Sequence, residues 1–279
     1  MAADVAPTLS RSQKIARLLR AFAANPIGVS RALPGEYRQT RGIQQYNDAE
    51  VEEVWNRRLH ALLSAPWPCS HSAELDDLMV SIAATLSAEG VGFGRGTYGW
   101  YSDAEISLCR AVWCAVRHLR PEAVVETGVA HGVTSRVVLE AMRQNALGHL
   151  WSIDLPHPLD HSLHVQTGVA VTQECRSRWT YLEGSSRQRL PKLLAELGKV
   201  QLFIHDSLHT ARNTLFEMEE IGSVMPAGVM LIDDIKSHDG FATFASRHPQ
   251  YQTMVCHSAD RIGMFGIAVR TPAPLLPAS

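Results

Sequence analysis

From Val124 onward, apolar runs rich in β-forming residues alternate with stretches whose apolar residues recur every three or four positions, and few folds satisfy that alternation. The strand candidates are "AVVET", "HLWSID", "RWTYLE", "VQLFIHD" and "GVMLIDD". Their near-continuous hydrophobicity fits strands covered on both faces, as in a parallel sheet. Between them "SRVVLEAMRQNA", "RQRLPKLLAEL" and "ARNTLFEMEEIGSVM" read as helices, with Pro191 expected in a first turn, where its missing N–H costs nothing. After Asp234 a short helix, "FATFASRH", leads to "QTMVCHS" and "IGMFGIAV", separated by too few residues for a helical crossover. Those two strands should pair antiparallel. The fold class expected is α/β, a doubly wound and mostly parallel seven-stranded sheet.

The preceding residues have a different texture. "SRSQKIARLLRAF" carries Ile15, Leu18, Leu19 and Phe22 on one helical face and Arg11, Lys14 and Arg17 on the other, a face expected to be solvated. "DAEVEEVWNRRLHALL" and "SAELDDLMVSIAATLSAEG" read as two more helices. The glycine-dense "GVGFGRGTYGWY" reads as a loop ahead of "SDAE", where Ser102 and Glu105 have the spacing of a capping box for a helix running to about Leu119. Tyr98, Trp100 and Tyr101 in that loop fit either a lid or a packing contact. The organisation expected is an N-terminal helical cap over residues 1–100 and a core over residues 101–279.

Composition narrows the function classes. With 46% hydrophobic residues in 279, the chain can bury a sizeable core, and a formal net charge of -2 lacks the basic footprint of a nucleic-acid binder. Small molecules are the expected partners, and a homo-oligomer is compatible with the sequence. The five cysteines are odd in number and form no C-x-x-C pair, so neither a disulfide framework nor a zinc knuckle is expected, and a cytoplasmic setting suits them. No apolar run approaches the ~20 residues of a membrane span, so a soluble protein is expected.

"VVETGVAHGVTS" concentrates the chemistry. Where a parallel strand gives way to a helix, backbone N–H groups and the helix dipole face the crevice at the carboxyl edge of the sheet, and anionic groups settle there. Gly128 and Gly132 allow close approach, whereas Glu126 adds a negative charge that a dinucleotide pyrophosphate would avoid. A ligand bearing both signs fits better. S-adenosylmethionine has a carboxylate for the helix start at Thr134 and an ammonium for Glu126. Asp154 closes the second strand, where an acid accepts ribose hydroxyls, a feature that suits NAD equally. Against NAD, the glycine positions of G-x-G-x-x-G hold Gly128, Ala130 and the bulky Val133.

With "WSIDL", "YLEGSSRQRLPKL", "LFIHDSLHT" and "GVMLIDDI", that stretch resembles class I S-adenosylmethionine-dependent methyltransferases, in particular catechol-type O-methyltransferases and bacterial relatives acting on sugars and other natural products. The resemblance runs from Val124 to about Arg270. It implies a methionine-binding turn at Glu126, Gly128, Gly132 and Thr134, a ribose acid at Asp154 and adenine-edge positions at Ser186 and Arg187, the last departing from the usual polar amide. Asp206, Asp233 and Asp234, at the ends of neighbouring strands, offer the oxygens Mg²⁺ prefers. The resemblance supports that ion, although Asp234 stands where an Asn is usual. It also implies a base at His209, three residues after Asp206. The bland alternative is that Asp206 caps the helix "TARNTLFEMEE".

The function expected is therefore transfer of a methyl group to a hydroxyl of a small molecule, with Asp206 and His209 as catalytic residues. The rivals are an NAD(P)-dependent oxidoreductase and a non-catalytic scaffold. "DLPHPLDHSLH", with His157, Asp160, His161 and His164, suggests a transition-metal site but reads better as a solvated loop, and His131 in the turn fits either a ligand contact or solvent.

Overall fold

A computed structural model describes residues 46, 48–99, 101–157, 160–259 and 261–272, so the face at Arg11, Lys14 and Arg17 and the loop residue Trp100 lie outside the described residues. Among the described residues three helices come first: α1 (Glu52–Leu62), α2 (Ser72–Ala88) and α3 (Ile106–Leu119). Then strands and helices alternate as β1 (Ala123–Thr127), α4 (Val133–Asn145), β2 (His149–Asp154), β3 (Trp179–Glu183), α5 (Ser186–Leu197), β4 (Leu202–His205), α6 (Ala211–Val224) and β5 (Gly228–Ile232). Helix α7 (Gly240–Arg247) and strands β6 (Gln252–His257) and β7 (Met264–Arg270) complete the described chain.

The seven described strands form one sheet in the order β3-β2-β1-β4-β5-β7-β6. The first five are parallel, and β7 runs antiparallel to both β5 and β6, as the short β6–β7 connection requires. The chain winds outward from β1 through β2 to β3, then returns to place β4 on β1's other side. The β1/β4 boundary is thus the switch point, where open α/β sheets leave a ligand crevice beyond their carboxyl ends.

Period-two geometry sends alternate residues of each strand to opposite faces. Val124, Leu202, Ile204, Val229 and Leu231 join a cluster with α1, α2, α3 and α4, including Trp55, Leu75, Trp113 and Val137. Val125, Phe203, Met230 and Ile232 join a second cluster with Leu190 of α5, Met218 of α6 and Phe244 of α7. Burying each such side chain stabilises the fold by roughly 1.5–3 kcal/mol, which is why both faces of these strands must be apolar. Helices α1 and α2 lie in the same apolar cluster as the sheet.

Two local expectations need correction. Helix α3 begins at Ile106 with Glu105 as its cap, the carboxylate accepting the Ser107 amide at 2.8 Å. Ser102 does not cap it, because its hydroxyl accepts the Gly96 amide at 3.2 Å while Asp103 accepts the Gly94 amide at 2.9 Å. These bonds hold the chain to the glycine-rich loop and delay the helix. Pro191 sits inside α5, which already starts at Ser186, past the first turn. The helix forgoes one N–H bond there.

Candidate active site

Strand register builds the crevice from main chain. Thr127 pairs with His205 and His205 with Ile232, so the next residues along, Gly128, Asp206 and Asp233, emerge side by side. The Asp206 amide donates to Thr127 O at 2.8 Å and the Asp233 amide to His205 O at 2.9 Å. Gly128, at φ +87°, is the tightest point: a Cβ there would lie 1.9 Å from the Asp206 carbonyl oxygen. No other residue type permits that contact together with a left-handed backbone. Ala130 also has positive φ, 45°, taking a glycine-like conformation without being glycine.

Gly132, at φ +83°, starts α4 with no side chain capping its first turn. By contrast α6 is capped by Thr210, whose hydroxyl accepts the Asn213 amide at 3.3 Å. Asp206 is therefore not needed as the cap of α6. Thr134 is buried in α4's first turn, and Glu126, at the end of β1, has no solvent exposure. Ser135 and Ser152 each donate a hydroxyl to Glu126 Oε2 at 2.6 Å, while Oε1 is buried without a hydrogen-bond partner. Burial raises the Glu126 carboxyl to about 8, against the pull of those two hydroxyls. Asp154, half-buried at the end of β2, is raised by burial to about 7, with the Asp206 charge adding to the effect.

Ser186 and Arg187 open α5 and are both engaged with α6. The Ser186 hydroxyl helps to lower the Glu217 carboxyl, and the exposed Arg187 lies 4.4 Å over the Phe216 ring with one N–H donating to Arg212 O at 3.0 Å.

Across the switch point the acids gather. One ligand-capable atom each from Asp206, His209 and Asp233 lies within 4.8 Å of the others. His209 Nε2 is 3.5 Å from Asp206 Oδ1 and its Nδ1 is 3.5 Å from Asp234 Oδ2, so the imidazole stands between two carboxylates. Burial works to lower the His209 pKa, but Asp206, Asp234 and Asp233 together raise it well above the ordinary value. The Asp233 carboxyl is raised, first by burial and then by the neighbouring Asp206 charge. Asp234, itself at φ 46°, is lowered by its histidine neighbour despite burial. A pair of crowded carboxylates flanked by an imidazole suits a hard divalent cation, which would relieve their repulsion.

Behind the acids lies a buried polar network with no counterpart in the sequence reading. Glu217, fully buried on α6, accepts the Thr127 hydroxyl at 2.6 Å and pairs with His205 Nδ1 at 2.6 Å. Ser207 and Asn213 donate to its other oxygen at 3.0 and 2.8 Å. Thr214 joins His205 Nε2 at 2.9 Å to His238 Nε2 at 3.1 Å. The ends of β1 and β4 and the segment after β5 are thereby fixed to one helix. The four-residue spacing of Asn213 and Glu217 was the only signal, since a glutamate on an amphipathic helix ordinarily reads as solvated.

His131 also has a definite place. Its buried ring pairs through Nδ1 with Asp103 Oδ1 at 2.9 Å, and Tyr98 meets it edge-on at 5.1 Å. The Tyr98 hydroxyl bonds to Thr167 Oγ1 at 2.7 Å, so residues 94–99 and 101–103 are clasped over the turn. His157 accepts the Asp160 amide at Nδ1, and His161 stacks on His164. Among the described residues these loop histidines do not form a metal-compatible group.

Residues 125–235 match the family described as a methyltransferase domain. No curated protein matches the chain. Among solved structures, cofactor-bound Rv0187 from MTB is 14% identical, with 82% of this chain and 100% of that one covered and a TM-score of 0.51. The O-methyltransferase TomG from Streptomyces achromogenes, involved in tomaymycin synthesis and in complex with SAM, is 11% identical over 79% of this chain and 98% of its own, at a TM-score of 0.51. The SAH-bound methyltransferase PaMTH1 from Podospora anserina is 13% identical over 82% of this chain and 99% of its own, at a TM-score of 0.50. At these identities the likeness is one of fold.

Proposed function

With a methyltransferase domain at residues 125–235 as the premise, we propose that the chain transfers the methyl group of S-adenosylmethionine to a hydroxyl of a small molecule. A sugar, a glycoside or another natural product is the acceptor class, and a divalent ion, Mg²⁺, assists. The observation that carries this reading is the meeting of Asp206, His209 and Asp233 directly beside Gly128, which joins an acid cluster to a donor turn through backbone contact. TomG with SAM and PaMTH1 with SAH support the choice of donor.

The residues present fit both groups. The uncapped start of α4 suits a carboxylate, the unpartnered Glu126 Oε1 suits an ammonium or its water, and Asp154 suits the ribose hydroxyls. Asp206 and Asp233 would hold the ion, with Asp234 on the other side of the His209 ring. Bound there, a divalent cation supplies positive charge that offsets the carboxylates and lowers the pKa of a nearby hydroxyl. His209, held between Asp206 and Asp234, is the group that would take the acceptor's proton. Asp234 orients that ring through Nδ1, in the way a third group orients a catalytic base. In the transfer, an acceptor O–H proton goes to His209, the new O–C bond forms, and the sulfonium C–S bond breaks to leave a neutral thioether.

The test uses a panel of hydroxylated acceptors and the demethylated donor product. His209→Ala should lower turnover by about 10²–10⁴-fold and leave the thermal shift caused by the product intact. Full activity in excess chelator removes the ion from the reading. Unchanged turnover in both His209→Ala and Asp206→Ala refutes the mechanism, and stabilisation by NAD in place of the methyl donor refutes the function.

A further inference from the structure

A second cluster of donor atoms lies far along α3 from the acid site. His60, in the last turn of α1, is fully buried, and its Nδ1 is 2.8 Å from the Asn56 carbonyl oxygen. A carbonyl only accepts, so Nδ1 carries the proton and Nε2 presents a lone pair. That Nε2 is buried without a hydrogen-bond partner. Cys69, buried in the connection between α1 and α2, places its Sγ 3.5 Å from His118 Nε2 and 3.5 Å from Cys114 Sγ. Cys114 and His118 are four residues apart on α3, one above the other on the same face. One ligand-capable atom each from His60, Cys69 and His118 lies within 4.8 Å of the others.

Thiolates and neutral imidazoles are the ligands of Zn²⁺, which takes four of them tetrahedrally. From Zn–S and Zn–N lengths of about 2.3 and 2.05 Å, the ligand-to-ligand edges of such a tetrahedron are about 3.6 Å for S···N and about 3.8 Å for S···S. The separations of 3.5 Å from Cys69 Sγ to His118 Nε2 and to Cys114 Sγ are already close to these values, while Cys114 lies outside the three-residue group whose atoms are all within 4.8 Å of one another and would turn inward as the fourth ligand. Two thiolates and two imidazoles leave the assembly neutral, which a buried position favours. The hydrogen bond from His60 Nδ1 to Asn56 fixes the tautomer and aims the ring, as outer partners of metal-bound histidines do.

We infer that His60, Cys69, Cys114 and His118 form a structural site for a soft divalent cation of the zinc class, clamping α1 and its following connection to α3. The site adjoins the start of β1, at the edge of the sheet opposite the strand ends that bear Asp206 and Asp233. It is independent of the catalytic reading.

The experiment uses the full-length chain with Asp206→Asn and Asp233→Asn, reduced and stripped with chelator, so that the acid cluster no longer competes. Titration with Co²⁺ should give one equivalent per chain, a near-ultraviolet thiolate-to-cobalt band, the visible bands of a tetrahedral ion and a higher Tm, and Zn²⁺ should displace it. Adding Cys69→Ser should weaken the thiolate band to that of a single sulfur ligand, and Cys69→Ser with Cys114→Ser should abolish it. His118→Gln, at a half-buried position and checked for folding by circular dichroism, should weaken Co²⁺ binding by at least about tenfold. Absence of the band in the reduced protein overturns the inference. So does a band that Cys69→Ser and His118→Gln leave unchanged.

Discussion

Glu126 is a single carboxyl whose burial has a measurable consequence for stability. Its folded pKa, about 8, exceeds the ordinary 4.5. Between these values the folded state keeps a proton that the unfolded chain has released, so this contribution is whole below 4.5 and fades as pH rises through 8. Without methyl donor, thermal unfolding followed across that window should therefore show a declining Tm, and Glu126→Gln, which cannot titrate, should flatten the decline. An equally steep decline in the variant would assign the slope to other groups. The placement of Glu126, Gly128 and Asp154 was legible in the sequence because one strand, one turn and one further strand end suffice to fix it. Glu217 was not legible. Its partners Thr127 and His205 come from strands β1 and β4, and along α6 only the four-residue spacing from Asn213 hints at which polar residues turn inward.

At the scale of elements, the carboxyl ends of β1 and β4 act as one piece. Gly128→Ala forces a Cβ towards the Asp206 carbonyl oxygen and adds left-handed strain of about 1–2 kcal/mol. The relief available is to part the two strand ends. Assayed well below its Tm, this variant should lose both donor affinity and turnover, the second through displacement of Asp206. Loss of donor affinity alone would mean that the acids are positioned independently of the turn. Strands β1, β4 and β5 were readable because burial on both faces leaves few polar positions in them. The start of α3 was misread, since Ser102 and Asp103 are drawn into bonds with the loop at residues 94–97 that sequence spacing does not reveal. The soft-donor cluster escaped for the same reason, its ligands coming from α1, the connection after it and α3.

For the whole molecule, the question is whether the helices preceding α3 unfold with the sheet. Trp55 of α1 has no solvent exposure and meets Phe265 of β7 edge-on at 5.3 Å, and both belong to the cluster shared with β1 and β4. Trp55→Ala should cost about 3–5 kcal/mol, and far-ultraviolet circular dichroism and fluorescence should report one coincident denaturant transition. A separate early transition confined to the helical signal would show α1 and α2 to be an independent unit. No described helix is long and apolar enough to cross a membrane.

The close approach of Gly128 to the Asp206 carbonyl leaves no room for a side chain between the turn after β1 and the end of β4. A partition without side chains offers evolution no residue to shorten. On the proposed function, a lineage adapting to bulkier acceptors would have to carve room elsewhere, at residues 94–99 and 101–103 or at the rim of residues 235–239.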